Sequence, residues 1–113
     1  MREIKNEADV HELVQTFYLT VLADDVLAPF FKNLNFEEHL PKMEFFWRFV
    51  LLDESGYTTS VTDKHMHMRL KEEHFKRWLL LFYQTLDELF IGEKVELAKQ
   101  RAAVIGWTIQ SKM

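Results

Sequence analysis

The sequence has no cysteine among its 113 residues, and only 3 glycines and 2 prolines. Without cysteine the chain cannot build a disulfide framework, a cysteine-based zinc finger, an iron–sulfur cluster or a thioether-linked haem. We expect a cytoplasmic location, because this absence fits a reducing compartment. The shortage of turn-forming residues disfavours β-sandwiches, small barrels and glycine-rich phosphate loops. We expect an all-α chain forming one domain over residues 1–113, with residues 1–8 and 111–113 frayed.

The net charge and the length of the apolar runs exclude two further classes of protein. The net charge is −4, whereas nucleic-acid-binding proteins usually carry a basic patch, so we expect no nucleic-acid partner. No stretch approaches 18 continuous apolar residues, so we expect no membrane span, and the first five residues do not resemble a signal peptide. The sequence leaves the oligomeric state open.

Aromatic residues are abundant, at 14% of the chain with 10 Phe, 3 Trp and 3 Tyr. A domain of this size needs only a modest core. The aromatic rings therefore either form most of that core or line a flat ligand slot, and composition does not separate the two possibilities.

Apolar residues recur at helical spacing in four long segments. Asp9 begins a sequence with capping-box spacing and is the predicted N-cap of the first helix, while Asp24 and Asp25 are predicted to cap a short second turn. Pro41 is expected near the start of the third helix, and Gly92 at the end of the fourth. We expect two antiparallel pairs of long helices. The predicted segments are 10–23, 26–31, 41–52, 71–92 and 94–110, with a short helical piece at 63–68.

The histidines are the only residues that suggest chemistry, since the common catalytic motifs are absent. His65 and His67 lie two apart, a spacing that makes a poor chelating pair on a helix. His65 has methionines close behind it, and a lone histidine in apolar surroundings is more often structural than a ligand. A non-covalent haem needs one axial imidazole and a flat apolar slot, so these patterns alone leave haem possible but not favoured.

Six short segments occur in an order and spacing that carry a family resemblance. Together they resemble the group III truncated haemoglobins, bacterial two-on-two globins, over about residues 10–112. The segments are Phe17-Tyr18 followed by Pro29-Phe30-Phe31, His39 with Trp47 eight residues later, Tyr57 with His65 eight residues later, the stretch from His74 to Phe82, the stretch from Asp87 to Glu93, and Gln100-Arg101-Ala102.

The resemblance implies haem b held between two helix pairs. It assigns His65 as the proximal iron ligand, with His67 and His74 as the alternatives. It also implies that Phe31 stacks on the porphyrin and that Met43 is an apolar contact on the distal side. The residues that would pair with a haem propionate are Lys42 or Arg69.

On the distal side, the resemblance implies that Tyr18, His39 and Trp78 face a bound diatomic ligand (O2, NO or CO). Tyr and Trp are hydrogen-bond donors on otherwise apolar rings, and His39 adds a third donor, gates entry or binds iron itself. The expected function is bacterial oxygen or nitric-oxide chemistry, including oxygen transport. The alternatives are a peroxidase or nitric-oxide dioxygenase that needs an external reductase, and a cofactor-free helical interaction module.

Overall fold

A computed structural model of the chain describes residues 2–31, 36–54 and 71–111. All regular elements in these ranges are α-helices, which confirms the predicted all-α class. None of the described helices is long and apolar enough to cross a membrane. The predicted helical piece at 63–68 lies outside the described residues. The helices are α1 (Glu7–Ala23), α2 (Ala28–Phe31), α3 (Phe36–Leu52), α4 (Glu72–Leu89) and α5 (Glu93–Ser111).

The N-cap of α1 differs from the prediction. Asn6 is the cap: its side-chain oxygen accepts the backbone N–H of Asp9 at 3.0 Å, and the Asp9 carboxylate accepts the N–H of Asn6 at 3.3 Å. The prediction of Asp9 as the cap was wrong, because Asp9 closes this reciprocal box from the third helical position. Glu12, which would have completed a box begun at Asp9, instead accepts a hydrogen bond from Arg2 at 2.8 Å.

The segment before α1 packs onto the far end of α4, where the sequence suggested a frayed end. Ile4 is buried, and the carbonyl of Arg2 accepts the N–H of Ile91 at 3.1 Å. The Arg2 guanidinium lies 5.1 Å from the ring centroid of Phe90 and donates to Asp9 at 2.9 Å. These contacts tie the start of the chain to the turn between α4 and α5.

Helix α3 begins five residues before the predicted start and contains Pro41 in its interior. A proline here removes one backbone hydrogen bond, since its nitrogen has no hydrogen to donate to the carbonyl of Glu37. The loss falls in the second turn, just after the N–H groups of the first turn, which have no intrahelical partner in any case. The predicted end at Leu52 is confirmed, and the next residue, Asp53, ends the helix with a left-handed φ of 55°.

The long helices form a sandwich of two pairs. Helix α1 packs against α3 and α4, and α5 packs against α4 and α3. Ala98 and Ala102 are fully buried on α5, and their small side chains allow its neighbours to approach closely. Gly92 makes the sharp turn into α5: its φ is +109°, and a Cβ there would lie 3.0 Å from a Glu3 carboxylate oxygen.

Asp24 joins three elements at the corner between α1 and α2. It is the C-cap of α1, and its Oδ2 accepts the N–H of Leu27 at 3.1 Å just before α2 begins. Its Oδ1 accepts two hydrogen bonds from Arg77 of α4, at 2.9 and 2.6 Å. The cap role predicted for Asp24 is therefore confirmed, although the helix it precedes starts at Ala28 rather than Val26.

The Asp24 carboxylate makes the stability depend on pH in the acid range. The Arg77 guanidinium, opposed by burial and assisted by the Leu27 N–H, holds the pKa of Asp24 below its usual value of about 3.9. The ion pair therefore contributes its full stability above that value and loses it as the pH falls towards the folded-state pKa. We expect the free energy of unfolding of the wild type to exceed that of Asp24→Asn at pH 7, and the difference to shrink below about pH 4.

Urea unfolding of both proteins at a series of pH values measures this difference. Asn keeps an oxygen for the Leu27 N–H, so the comparison isolates the charge. A difference that stays constant down to pH 2 would show that the ion pair does not contribute.

Candidate functional site

The residues assigned to the distal side lie together where α1, α2, α3 and α4 meet. We call Tyr18, Phe31, His39, Met43 and Trp78 the distal wall. At its centre the Tyr18 hydroxyl lies 3.1 Å from Nε2 of His39, and the two rings meet edge-on with centroids 5.4 Å apart. Tyr18 is buried and His39 half-buried, so this hydrogen bond between α1 and α3 is shielded on the tyrosine side.

Burial controls the protonation of the Tyr18 hydroxyl. Because burial disfavours the phenolate, the pKa of Tyr18 is raised well above its ordinary value near 10. The hydroxyl therefore keeps its proton at neutral pH, and the His39 tautomer decides where that proton points. With hydrogen on Nε2, His39 donates to the Tyr18 oxygen and leaves the phenol proton free for a ligand. With hydrogen on Nδ1, His39 accepts that proton instead.

Phe31 and Met43 form the apolar part of the distal wall. The Phe31 ring is 2% exposed and meets the Tyr18 ring edge-on at 6.1 Å. Phe30 points elsewhere, because its ring lies against His74 at 4.5 Å. Met43 is buried one helical turn after His39, on the same side of α3. Of the two neighbouring phenylalanines, Phe31 is thus the one that lies beside the tyrosine.

Trp78 belongs to a stack of rings that connects α4 to α1 and α3. It meets Phe17 edge-on at 5.7 Å and is parallel to Phe82 at 5.8 Å, with 4° between the ring planes. Trp47 of α3 stacks on Phe82 at 4.9 Å. Phe17 also contacts Tyr18 at 5.4 Å, so a single ring joins the tyrosine and the tryptophan of the distal wall.

Sequence patterns gave Phe17, Phe82 and Trp47 no role in the site. All three fall on the apolar faces of their helices, and helical periodicity marks only the face that is buried. It does not distinguish a ring that supports a ligand slot from one that fills the core, because both are apolar and inaccessible.

Of the remaining predicted site residues, the structure describes only some. Lys42 is exposed on α3, directly before Met43. His65, His67 and Arg69 lie outside the described residues, so their roles stay predictions.

His74, the remaining alternative for the proximal ligand, lies in the first turn of α4. Its Nδ1 accepts the N–H of Lys71 at 2.9 Å, and its Nε2 lies 3.8 Å from a carboxylate oxygen of Glu73. One ring nitrogen is therefore engaged in holding the start of the helix.

The distal wall fits one face of a haem. Such a face needs apolar side chains against the porphyrin and hydrogen-bond donors near the open iron position. Phe31 and Met43 meet the first requirement, while the Tyr18 hydroxyl and the imidazole of His39 meet the second. The Tyr18 phenol, whose pKa burial raises, is a neutral donor at pH 7, and it lies within hydrogen-bonding distance of the His39 imidazole.

Similarity to known proteins agrees with this arrangement. No family model matches the chain. A group 3 truncated haemoglobin of Campylobacter jejuni is 30% identical over 118 aligned positions, which cover 98% of this chain and 93% of that protein. A group 1 truncated haemoglobin of Tetrahymena thermophila is 30% identical over 94 positions, covering 82% of this chain and 78% of that protein.

A solved structure has the same fold as this chain. The crystal structure of a group III truncated haemoglobin from Campylobacter jejuni matches with a TM-score of 0.88 and 30% identity, over 99% of this chain and 94% of that chain. The helical sandwich is thus that of a globin. The chain belongs to the truncated haemoglobin family, in group 3, which confirms the resemblance found in the sequence.

The buried Tyr18 hydroxyl has a spectroscopic consequence. Because burial raises its pKa, we expect the tyrosinate absorbance of the folded chain to rise equally in the wild type and in Tyr18→Phe as the pH is raised. The control is the same titration in urea, where three tyrosines ionise in the wild type and two in the variant. A smaller rise in the folded variant would show that Tyr18 ionises without unfolding.

Proposed function

We propose that this chain binds haem b and holds a diatomic ligand, such as O2, NO or CO, against the distal wall. The observation that carries the proposal is the buried Tyr18 hydroxyl, 3.1 Å from Nε2 of His39 and flanked by the Phe31 ring. When bound, haem supplies an iron atom with one coordination position open to a gas. Support also comes from the relatives, which are named as haemoglobins.

The proposed haem contacts combine one iron ligand with apolar and charged side chains. His65 would bind the iron through an imidazole nitrogen. Phe31 and Met43 exclude water from the distal face, which lowers the local dielectric and strengthens each hydrogen bond there. Either Lys42, which is exposed on α3, or Arg69 pairs with a propionate.

The distal donors act on the outer atom of the ligand, where negative charge accumulates on a polarised diatomic molecule. Tyr18 donates its phenol proton when His39 carries hydrogen on Nε2, so His39 sets the orientation of the tyrosine. The indole N–H of Trp78 is a second donor, placed on the α4 side. Neutral donors in an apolar wall favour a polar ligand without attracting a permanent anion.

We place the protein in bacterial oxygen or nitric-oxide chemistry in the cytoplasm. Oxygen transport is the simplest use of such a site. Sustained turnover as a peroxidase or nitric-oxide dioxygenase would require an external reductase as a partner, since each cycle consumes electrons.

The first test concerns the iron ligand. We expect the purified chain to take up haem stoichiometrically and to show a Soret band. His65→Ala should lose or shift that band, because iron loses its strong axial bond. His67→Ala is the matched control, two residues away, and should keep the wild-type spectrum. An unchanged band in His65→Ala, or no band in the wild type, would contradict the proposal.

The second test concerns the tyrosine donor. In the haem-loaded protein, Tyr18→Phe should raise the oxygen dissociation rate about tenfold, the effect of losing one hydrogen bond worth roughly 1.4 kcal/mol. The CO dissociation rate should change less, because CO is the less polar ligand. Tyr83→Phe is the control, since that hydroxyl donates to the carbonyl of Lys99 between α4 and α5. Equal effects of both substitutions on oxygen release would contradict a distal role for Tyr18.

A further inference from the structure

Two contacts connect the α1–α2 corner to the first turns of α4. Arg77 donates two hydrogen bonds to Asp24, and the Phe30 ring lies on His74. We call Asp24, Phe30, His74 and Arg77 the corner clamp. His74 and Arg77 are three apart on α4 and share a face with Trp78, so the clamp and the tryptophan lie on the same side of that helix.

The Asp24 carboxylate divides its two oxygens between the elements it joins. Oδ1 accepts both hydrogen bonds from Arg77, and Oδ2 accepts the N–H of Leu27 at the entry to α2. The Asp24 side chain is only 7% exposed, whereas that of Arg77 is 42% exposed. The shielded carboxylate has few alternative partners, so the ion pair fixes α4 to the corner.

The corner clamp joins α2 to α4, and each of these helices carries one residue of the distal wall. Phe31 ends α2, and Trp78 directly follows Arg77 on α4. We infer that Asp24 and Arg77 are positioning residues, whose ion pair sets the distance between Phe31 and Trp78. The inference rests on the proposed function, because this distance matters when a ligand lies between the two side chains.

Helix α4 would retain some support without the clamp. Phe17 of α1 still contacts both Trp78 and Phe82, so α4 remains attached to α1 through its second and third turns. Its first turn would be free to move away from α2. Loss of the clamp should thus displace Trp78 relative to Phe31 without unfolding the chain.

The test uses Arg77→Met, which keeps an apolar stem, and Asp24→Asn, which keeps an acceptor for the Leu27 N–H. In the haem-loaded protein, each should raise the oxygen dissociation rate about tenfold, the effect of misplacing one donor. The double variant should show no further increase, because both changes remove one interaction. Arg77→Lys, which retains a charged donor, should lie closer to the wild type.

A second ion pair on α4 provides the matched control. Lys99 of α5 lies 2.8 Å from Asp87, which is nine residues or about 13 Å along the helix from Trp78. Asp87→Asn should alter the melting temperature without changing oxygen release. If Asp87→Asn raises the dissociation rate as much as Arg77→Met does, or if Arg77→Met and Asp24→Asn leave it unchanged, the positioning role is overturned.

A measurement that needs no haem separates this inference from the proposed function. In the NMR spectrum of the full chain, the indole N–H resonance of Trp78 should move in Arg77→Met and stay in place in Asp87→Asn. The exposed Trp107 provides the internal reference. If the chain fails to bind haem but the Trp78 resonance moves, the proposed function falls and the positional effect of the clamp stands. An unmoved resonance overturns the clamp itself.

Discussion

The hydrogen bond between the Tyr18 hydroxyl and the His39 imidazole is the interaction on which the arrangement of the site depends. It joins α1 to α3 in a place where the tyrosine is closed to water, so Tyr18 cannot exchange it for a solvent hydrogen bond at low cost. It also couples two chemical choices, the tautomer of the imidazole and the direction of the phenol proton. Moving one hydrogen between the two imidazole nitrogens therefore changes whether the phenol proton is free to donate to a ligand.

Packing between aromatic rings holds the remaining side of the site, which Trp78 forms, in position. Phe17 contacts both Tyr18 and Trp78, and Phe82 lies between Trp78 and Trp47. Flat rings in stacked and edge-on contact resist sliding, because displacement loses contact area and favourable electrostatic geometry together. The aromatic rings thus fall into two groups: some form the distal wall, and others hold those rings in place.

Much of the fold could be predicted from the sequence, since apolar periodicity identifies a buried face before any partner is known. The ends of the helices were less predictable. Two capping-box patterns overlap near residue 9 in the sequence, and Asn6 rather than Asp9 caps α1, with Asp9 closing the box and Glu12 bound to Arg2. Pro41 suggested a later start for α3, although a proline within the first two turns costs only one backbone hydrogen bond.

By itself, the sequence determined the helical class, the positions of the apolar faces and, through ordered short segments, the family. Only the tertiary structure decided that the Phe17 ring joins Tyr18 to Trp78, and that Arg77 of α4 binds Asp24, 53 positions earlier in the chain. The physical reason is the range of the interactions. Caps and periodicity depend on neighbours within one or two helical turns, whereas these contacts depend on how the helices cross, which no local pattern encodes.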